Sequence, residues 1–410
     1  MEEKIVYIHI GMHKTATTSI QYTMFDNRDM LADFGYYYPK SFLINQSIYL
    51  LSMLLDNPES YYPNVKNQRQ GKILEKFNED NLANITKELE ESRKSDVVVF
   101  SGEDLNLLTH DECTKLKHLI NELCPDYSVK IICSTREYAE YTASAVQQKV
   151  KSSKLRELVL DDIQPLYKDL YRSRLEKYID IFSKENIIVY KFEDSLKHEN
   201  GPVGFFLETI GLSKDEIAKI KIWRCNDGIG RNAFDILLHI NYRIPFVVDG
   251  EISSGRKKND TNCIFDVRGG GKYRLPQTVY EHLEEFSADD RLWLKNEFGI
   301  SYSYKILKAQ DESKIIFDED YLEDIIKVLD NTTLVITFLL KQYFIEKRED
   351  VDENSQKIVD KTIEEINNRY PFMNSDISLN KIIKKQNKED LLFNKLIRKA
   401  KRRLAAWHSK

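Results

Sequence analysis

The sequence predicts an α/β protein in which a parallel sheet is flanked by helices on both faces and is followed by a C-terminal helical appendage. Four short apolar segments rich in β-branched residues are typical of buried parallel strands. Helical stretches alternate with these segments, which favours a sheet with crossover helices. Beyond about residue 304 the pattern is helical without further strands. We therefore expect an α/β domain at residues 1–310 and the appendage at residues 311–410.

The first predicted unit is a strand at residues 4–10, which ends at Gly11 and precedes a helix-compatible run at residues 17–34. Further strands are predicted at 96–101, 128–135 and 186–192, and further helices at 81–93, 111–123 and 138–150. Ligands of such sheets bind at the carboxyl ends of the strands. Because Gly11, Glu103 and Arg136 follow strand ends, we expect three chain segments to converge on one cleft.

Composition excludes several classes of protein. With 41% hydrophobic residues in a chain of 410, a full core can be buried. The five cysteines contain no C-x-x-C pair, which argues against a disulfide framework or a zinc site, and we expect no metal. The first residues lack the pattern of a signal peptide, and the most apolar segment, residues 334–345, is shorter than the roughly 20 residues of a membrane span. We therefore expect a cytoplasmic protein.

Residues 11–19, GMHKTATTS, lie between the first strand and the first helix, where backbone amides and the helix dipole favour anions. A nucleotide-triphosphate loop of the form G-x-x-x-x-G-K-[ST] would need glycine at two positions that are Ile8 and His13. The segment therefore predicts a P-loop-like fold whose loop binds phosphate but is not built for ATP or GTP; a helix start that is merely capped is the alternative. The predicted contacts are Gly11, His13, Lys14, Thr15, Ala16, Thr17, Thr18 and Ser19.

Residues 9–21, HIGMHKTATTSIQ, resemble the 5'-phosphosulfate-binding loop of sulfotransferases that use 3'-phosphoadenosine-5'-phosphosulfate (PAPS). The resemblance is to the bacterial carbohydrate-type form, H-x-G-x-x-K-T-G-T-T-S-x-Q. The sequence departs from it at Ala16, where the family usually has glycine, and the departure matters if this position needs a positive φ. The resemblance covers roughly residues 4–305 and implies PAPS as donor, with a second anion site for its 3'-phosphate.

In this family an arginine at a strand end and a serine eight residues later bind the 3'-phosphate, and Arg136 and Ser144 reproduce that spacing. Glu103, in the segment SGEDL, resembles the segment that supplies the base of many carbohydrate sulfotransferases, and Lys14 would stabilise the leaving phosphate. The alternative for Glu103 is an acid that only complements a helix dipole. The other candidate bases are Asp104 and His13.

The glycine cluster in the segment DVRGGGKYR is similar to the glycine-rich basic loop that closes over the 3'-phosphate in this family, and a plain flexible loop is the alternative. The similarity implies donor contacts from Arg268, Gly269 and Gly270. The tyrosines at 36–38 are candidates to hold an acceptor sugar, together with residues 147–149. The alternative for these tyrosines is a place in the core.

The C-terminal segment at residues 381–410 has a charge of +9, in a chain whose net charge is −5, so the rest of the chain carries −14. An acidic body argues against nucleic-acid binding. Within residues 391–407, apolar residues recur at helical spacing among basic ones. This basic amphipathic pattern predicts either peripheral contact with an anionic membrane or a helix that packs on the body with its basic face in solvent. The apolar residues are Phe393, Ile397, Ala400, Leu404 and Trp407.

These motifs predict a bacterial enzyme whose catalytic domain, at residues 1–310, moves a sulfuryl group from PAPS to a hydroxyl of an acceptor. By analogy with the family, the acceptor is a carbohydrate or a cell-surface glycan, and Glu103 is the base. Two alternatives stay open. One is a nucleotide-dependent kinase with a degenerate P-loop, and the other is a membrane-recruited nucleotide-binding module without turnover.

Overall fold

The protein is described here from a computed structural model that covers residues 3–92, 95–225, 228–248, 251–302, 317–374 and 377–408, with the backbone alone at 393–396 and 398–408. The chain forms two compact units. The first unit comprises Met1–Thr142, Gln164–Asp227 and Glu281–Lys305, and the second comprises Ala143–Ile163, Gly228–Tyr280 and Ile306–Lys410. The units therefore divide the chain differently from the boundary expected at residue 310. The assignment of residues 1–310 as a catalytic domain stays a prediction.

The first unit contains a five-stranded parallel sheet with the strand order β2-β3-β1-β4-β5. All four predicted strands are confirmed to within a residue at each end, and β2 is an addition. The second unit has a separate antiparallel pair, β6 and β7. The strands are β1 (Ile5–His9), β2 (Tyr36–Tyr37), β3 (Val97–Ser101), β4 (Ser128–Thr135), β5 (Ile187–Lys191), β6 (Val247–Val248) and β7 (Glu251–Ile252).

Helices make up most of the remaining described structure, as the sequence predicts. They are α1 (Thr17–Asp26), α2 (Arg28–Asp33), α3 (Ser47–Leu54), α4 (Tyr62–Lys66), α5 (Lys72–Glu91), α6 (His110–Leu123), α7 (Tyr138–Lys151), α8 (Leu160–Ile163), α9 (Arg172–Phe182), α10 (Phe192–Ser195), α11 (Gly201–Thr209), α12 (Lys214–Ile217), α13 (Arg231–Arg243), α14 (Gln277–Phe286), α15 (Ala288–Phe298), α16 (Glu319–Asn331), α17 (Leu334–Lys347), α18 (Glu353–Arg369) and α19 (Leu379–His408).

Helices cover both faces of the sheet, so both sets of alternating side chains are buried. On one face Tyr7, Val99 and Ile132 pack in a single core cluster with side chains of α1, α2, α11 and α12. On the other face Ile8 and Phe100 are fully buried. A strand that is buried on both faces must be apolar throughout, which is why these strands could be predicted from β-branched runs.

The helix-compatible run at residues 17–34 divides into α1 and α2 at Asn27. The Asn27 side chain donates to the Thr23 carbonyl at 2.7 Å and to the Lys221 carbonyl at 2.9 Å, and it accepts from the Lys221 amide at 3.0 Å. These bonds fix a break where the sequence predicts a continuous helix, since asparagine side chains compete with backbone hydrogen bonds.

In the second unit, α17 is apolar around its whole circumference and packs against α13, α18 and α19. It contains the apolar segment noted in the sequence, from Leu334 onward. Such a helix is the core of an all-helical layer. Its single buried lysine, Lys341, donates to the Met373 carbonyl at 2.5 Å. Within the described ranges, none of the helices has the length and apolarity that crossing a bilayer requires.

Candidate functional site

The predicted phosphate loop lies at the carboxyl end of β1, where the chain enters α1. β1 lies between β3 and β4, so the strand order reverses at this edge of the sheet, which is where open α/β sheets bind ligands. Gly11, Lys14 and Ala16 have left-handed backbone conformations, with φ of 66°, 69° and 61°. Alternation of left-handed residues with others points successive amides toward one side, as in anion-binding nests.

The amino end of α1 adds further amides to this loop. Ala16 is the residue before the first turn and offers no side-chain cap to the helix. The first-turn amides of a helix have no partner within the helix, and the helix dipole adds positive potential there. An uncapped start beside a nest is therefore suited to an anion, and the alternative of a merely capped helix loses its basis.

Ala16, where the resembled loop usually has glycine, has a positive φ, so the backbone of alanine is strained here. We expect Ala16→Gly to raise the free energy of unfolding by about 0.5–1 kcal/mol, measured by urea denaturation. The exposed Ala83 in α5 is the matched control, because Ala83→Gly should lower stability by about 1 kcal/mol. Equal destabilisation by both changes would show that Ala16 is not strained.

Three hydroxyls of the loop form hydrogen bonds within the protein. Thr15 Oγ1 donates to the Met12 carbonyl at 2.6 Å, and Thr17 Oγ1 donates to Glu103 Oε2 at 2.5 Å. Ser19 Oγ accepts from the Cys225 amide at 2.9 Å. These hydroxyls brace the loop and its neighbours, and a role for them in binding phosphate stays a prediction. The backbone amides and Lys14 are thus the main candidates for anion contacts.

Glu103 follows β3 and is brought to the loop by close packing. A Cβ on the preceding Gly102 would lie 2.7 Å from Ser47 Oγ, so a glycine allows this turn to approach α3. Besides its bond from Thr17, Glu103 Oε2 lies 3.4 Å from His13 Nδ1. Burial alone would raise the pKa of Glu103, but the bonds and charges of His13, Thr17 and Lys14 bring that pKa below its ordinary value. Glu103 is therefore an ionised carboxylate beside the loop.

His13 connects Glu103 to a second carboxylate. Its Nε2 lies 3.4 Å from Asp104 Oδ1, and the Tyr61 hydroxyl donates to Asp104 Oδ2 at 2.7 Å. Burial alone would lower the pKa of His13, but its hydrogen bond to Glu103 and the charges of both carboxylates raise that pKa above its ordinary value. The sequence named both His13 and Asp104 as candidate bases. The structure places the His13 imidazole between the two carboxylates, and a role for either residue as the base stays a prediction.

This pairing predicts a pH-dependent stability. Because the pKa of His13 rises above 6.5 on folding, its contribution is complete below pH 6.5 and is lost as the pH rises through the folded value. Because the pKa of Glu103 falls below 4.5, its contribution is present above pH 4.5 and is lost as the pH falls through its folded value. We expect urea denaturation of the native protein and His13→Gln to differ most between pH 4.5 and 6.5 and to converge at higher pH. A difference that is constant with pH would contradict the pairing.

Arg136, at the end of β4, reaches the loop directly. Its Nη1 donates to the Lys14 carbonyl at 2.8 Å, and its Nη2 lies 3.4 Å from Glu140 Oε2. The Tyr171 hydroxyl accepts from the Arg136 amide at 2.8 Å and donates to the Arg136 carbonyl. The Arg136 guanidinium therefore contacts the backbone of the loop at Lys14, and the binding of one ligand by both side chains stays a prediction. Ser144 lies on α7, and its contact with a 3'-phosphate stays a prediction.

The glycine cluster belongs to the second unit, where it packs on the start of α13. The Gly271 carbonyl accepts from the Arg231 amide at 3.0 Å. A Cβ on Gly269 or Gly270 would lie 2.6 Å from side-chain atoms of Asn232. Arg268 forms a two-bond pair with Asp324, at 2.8 and 3.1 Å. Donor contacts from Arg268, Gly269 and Gly270 stay a prediction, and Arg268 would have to exchange Asp324 for phosphate.

The tyrosines at 36–38 are core residues, and the expectation that they hold an acceptor is wrong. All three are buried, and Tyr36 and Tyr38 belong to the cluster under the sheet. The Tyr37 hydroxyl donates to Glu88 Oε2 at 2.8 Å. Gln147 is also buried, and its Oε1 accepts from the Ile229 amide at 2.9 Å. Aromatic rings buried in this way cannot stack on a sugar.

Several supporting residues of the site carry no signal in the sequence. Asn106 donates to the Glu103 carbonyl and accepts from Arg174 Nε at 3.0 Å, which ties the base candidate to α9. Cys133 donates from its thiol to the Gly11 carbonyl at 3.0 Å. Arg174 is 68 residues from Asn106 and Cys133 is 122 residues from Gly11, and neither pair belongs to a periodic pattern, so only the folded chain identifies them.

Comparisons with known proteins give the following. No family of known proteins matches the sequence, and no curated protein matches it either. Among solved structures, a sulfotransferase from Alicyclobacillus acidocaldarius is similar, with 16% identity, a TM-score of 0.34 and coverage of 74% of this chain and 98% of that chain. Retinol dehydratase in complex with retinol and PAP has 13% identity, a TM-score of 0.28 and coverage of 74% and 84%. At these values the similarities do not carry an argument about function, which rests on the site itself.

Proposed function

We propose that the protein transfers a sulfuryl group from PAPS to a hydroxyl of an acceptor. The observation that carries this proposal is the bond of 2.8 Å from Arg136 Nη1 to the Lys14 carbonyl. This bond supports a single site, in which the Arg136 guanidinium lies beside the uncapped start of α1. Such a site would suit a nucleotide that has two separate phosphate groups. The ionised Glu103 at the same loop supplies a proton acceptor.

In the proposed reaction, the acceptor oxygen attacks sulfur in line, and the bond from sulfur to the bridging phosphate oxygen breaks as the new oxygen–sulfur bond forms. Glu103 accepts the proton of the acceptor hydroxyl. The leaving group is 3'-phosphoadenosine 5'-phosphate (PAP), whose developing charge falls on the loop amides and Lys14. His13 and Thr17 hold the Glu103 carboxylate in place, at 3.4 and 2.5 Å. Glu103 is the favoured base because its carboxylate is bonded to Thr17 of the loop, whereas the Asp104 carboxylate is bonded to Tyr61 outside the loop.

A nucleotide-dependent kinase is the second candidate that uses such a loop. In a P-loop kinase, glycine precedes the loop lysine and the hydroxyl after it binds Mg²⁺. Here His13 precedes Lys14, and the following Thr15 hydroxyl is bonded to the Met12 carbonyl at 2.6 Å. Both differences favour a donor that reacts without a metal, so we include no metal in the proposal.

The deciding assay supplies PAPS with a mixture of hydroxyl acceptors in the presence of EDTA and measures the PAP that is formed. We expect PAP to form without Mg²⁺, and we expect no consumption of ATP with Mg²⁺. Mg²⁺-dependent ATP consumption would favour the kinase. Binding of PAP without any turnover across the acceptor panel would favour a binding module.

The acceptor and the compartment are further parts of the proposal. A carboxylate base suits a sugar hydroxyl, and by analogy with the resembled family we propose a carbohydrate or cell-surface glycan precursor as acceptor. We propose that the reaction takes place in the cytoplasm, where PAPS would be the donor and the five free cysteines would stay reduced.

A further inference from the structure

Among the side chains of α19 that the structure describes, those of its first part attach the helix to the second unit. Ile382 is fully buried, and Gln386 bonds both the Val335 amide at 2.9 Å and the Gly255 carbonyl at 3.2 Å. The Asp390 carboxylate pairs with Lys257 at 2.5 Å. Up to Asp390, therefore, α19 is an ordinary packed helix.

Beyond Asp390 the character of α19 changes. Leu391 and Leu392 are 56% and 53% exposed, and Ile397 is exposed as well. Residues 391–408 contain six Lys/Arg and no Asp or Glu. Their sequence repeats apolar residues at spacings of three and four as far as Trp407, over about 24 Å of helix. This basic segment, residues 391–408, is thus amphipathic, and the side chains described at its start are in solvent.

A second exposed apolar element lies beside the start of the basic segment. In the hairpin of β6 and β7, Val247, Val248 and Ile252 are each about half exposed. The hairpin adjoins α19, because Ser254, two residues after β7, accepts from Asn387 Nδ2 at 3.3 Å. The exposed Lys257 and Lys258 follow in the same turn. Apolar and basic side chains of two elements therefore meet at one edge of the second unit.

We propose that this edge binds the surface of an anionic lipid bilayer. Apolar side chains of the basic segment and the hairpin would enter the boundary between headgroups and acyl chains, while the six Lys/Arg contact anionic headgroups. Charge and exposure together favour this occupant, because the basic segment carries six Lys/Arg without an acid and lies beside exposed apolar side chains. A second copy of this acidic chain would match the charge of the basic segment but supplies no apolar partner of known position for the hairpin, so self-association is an outcome of the test.

The test is flotation of the full-length protein with vesicles. We expect binding to vesicles of phosphatidylcholine mixed with phosphatidylglycerol, no binding to phosphatidylcholine alone, and release as salt is raised from about 0.1 M to about 1 M. The triple variant Arg398→Gln, Arg402→Gln and Arg403→Gln should bind anionic vesicles about 100-fold more weakly, at roughly tenfold or less per charge.

A matched control removes three exposed charges elsewhere, at Lys76, Lys87 and Lys197, and should leave vesicle binding within about twofold of the native protein. A second variant, Val247→Ser with Val248→Ser, should weaken binding about tenfold without touching α19. Circular dichroism verifies that each variant is folded.

Three results would overturn the proposal. One is equal binding to neutral and anionic vesicles, and another is an effect of the lysine control as large as that of the arginine variant. The third is concentration-dependent self-association that the arginine variant abolishes, without vesicle binding, which would assign the basic segment to a second copy. Because PAPS turnover is not a readout, these outcomes are independent of the proposed function.

Discussion

We expect Glu103→Gln to lower the rate of sulfuryl transfer by about 100- to 10,000-fold while its affinity for PAP stays within about twofold of the native value. Glutamine preserves the shape of the side chain and can still accept the hydrogen bond from Thr17, which is 2.5 Å from Oε2. It cannot take up the acceptor proton. The measurements are the rate of PAP formation and calorimetric titration with PAP.

The control for this variant is Glu122→Gln, at an exposed position in α6, which should leave both quantities unchanged. Loss of PAP affinity together with reduced thermal stability in Glu103→Gln would make Glu103 a structural acid that holds Thr17 and His13. Retention of full turnover would exclude Glu103 as the base and direct attention to Asp104.

The second large effect is expected at Gly11. A Cβ at this position would lie 2.8 Å from Thr17 Cγ2 and 3.3 Å from Glu103 Cα, and the residue has a φ of 66°. Alanine would add backbone strain and would push apart the two elements that form the site. We expect Gly11→Ala to lower the free energy of unfolding by about 2–4 kcal/mol and to abolish measurable PAP binding, as followed by urea denaturation and calorimetry.

A variant at Gly299 distinguishes backbone strain from steric contact as the cause of the loss. Gly299 has the same φ of 66° at the end of α15, but a Cβ there meets no atom within 4 Å. Gly299→Ala should therefore cost only the backbone strain, about 1–2 kcal/mol, and should leave PAP binding intact. Equal losses of stability in both variants would contradict the steric argument. They would mean that Thr17 and Glu103 can move away from a Cβ at residue 11 without lowering the free energy of unfolding.

The strands of the sheet could be predicted from the sequence, because the long strands are buried on both faces and are apolar throughout. The prediction missed β2, which has only two residues, Tyr36 and Tyr37. It also missed the break at Asn27, since the partner that fixes it, Lys221, is 194 residues away. Local patterns report the burial of a segment, but they carry no information on such distant side-chain partners.

The general rule that ligands lie at strand ends was sufficient to predict that the segments of Gly11, Glu103 and Arg136 lie close together. Arg136 and Lys14 are 122 residues apart in the chain and share a hydrogen bond. The rule could not foresee what each side chain does there. The bond from Thr17 to Glu103 and the bond from Tyr61 to Asp104, which spans 43 residues, depend on packing that no spacing encodes.

The most direct test of the central claim is calorimetric titration of the native protein with PAP and with ADP. Both nucleotides carry two phosphates, but PAP has one of them at the 3' position, for which Arg136 is the proposed ligand, whereas ADP has both at the 5' end. Since hydrogen bonds to charged groups contribute about 1.5–3 kcal/mol, we expect PAP to bind about 10- to 100-fold more tightly, and Arg136→Gln to remove that preference. Equal affinity for the two nucleotides, or a preference for ADP, would contradict the proposed donor.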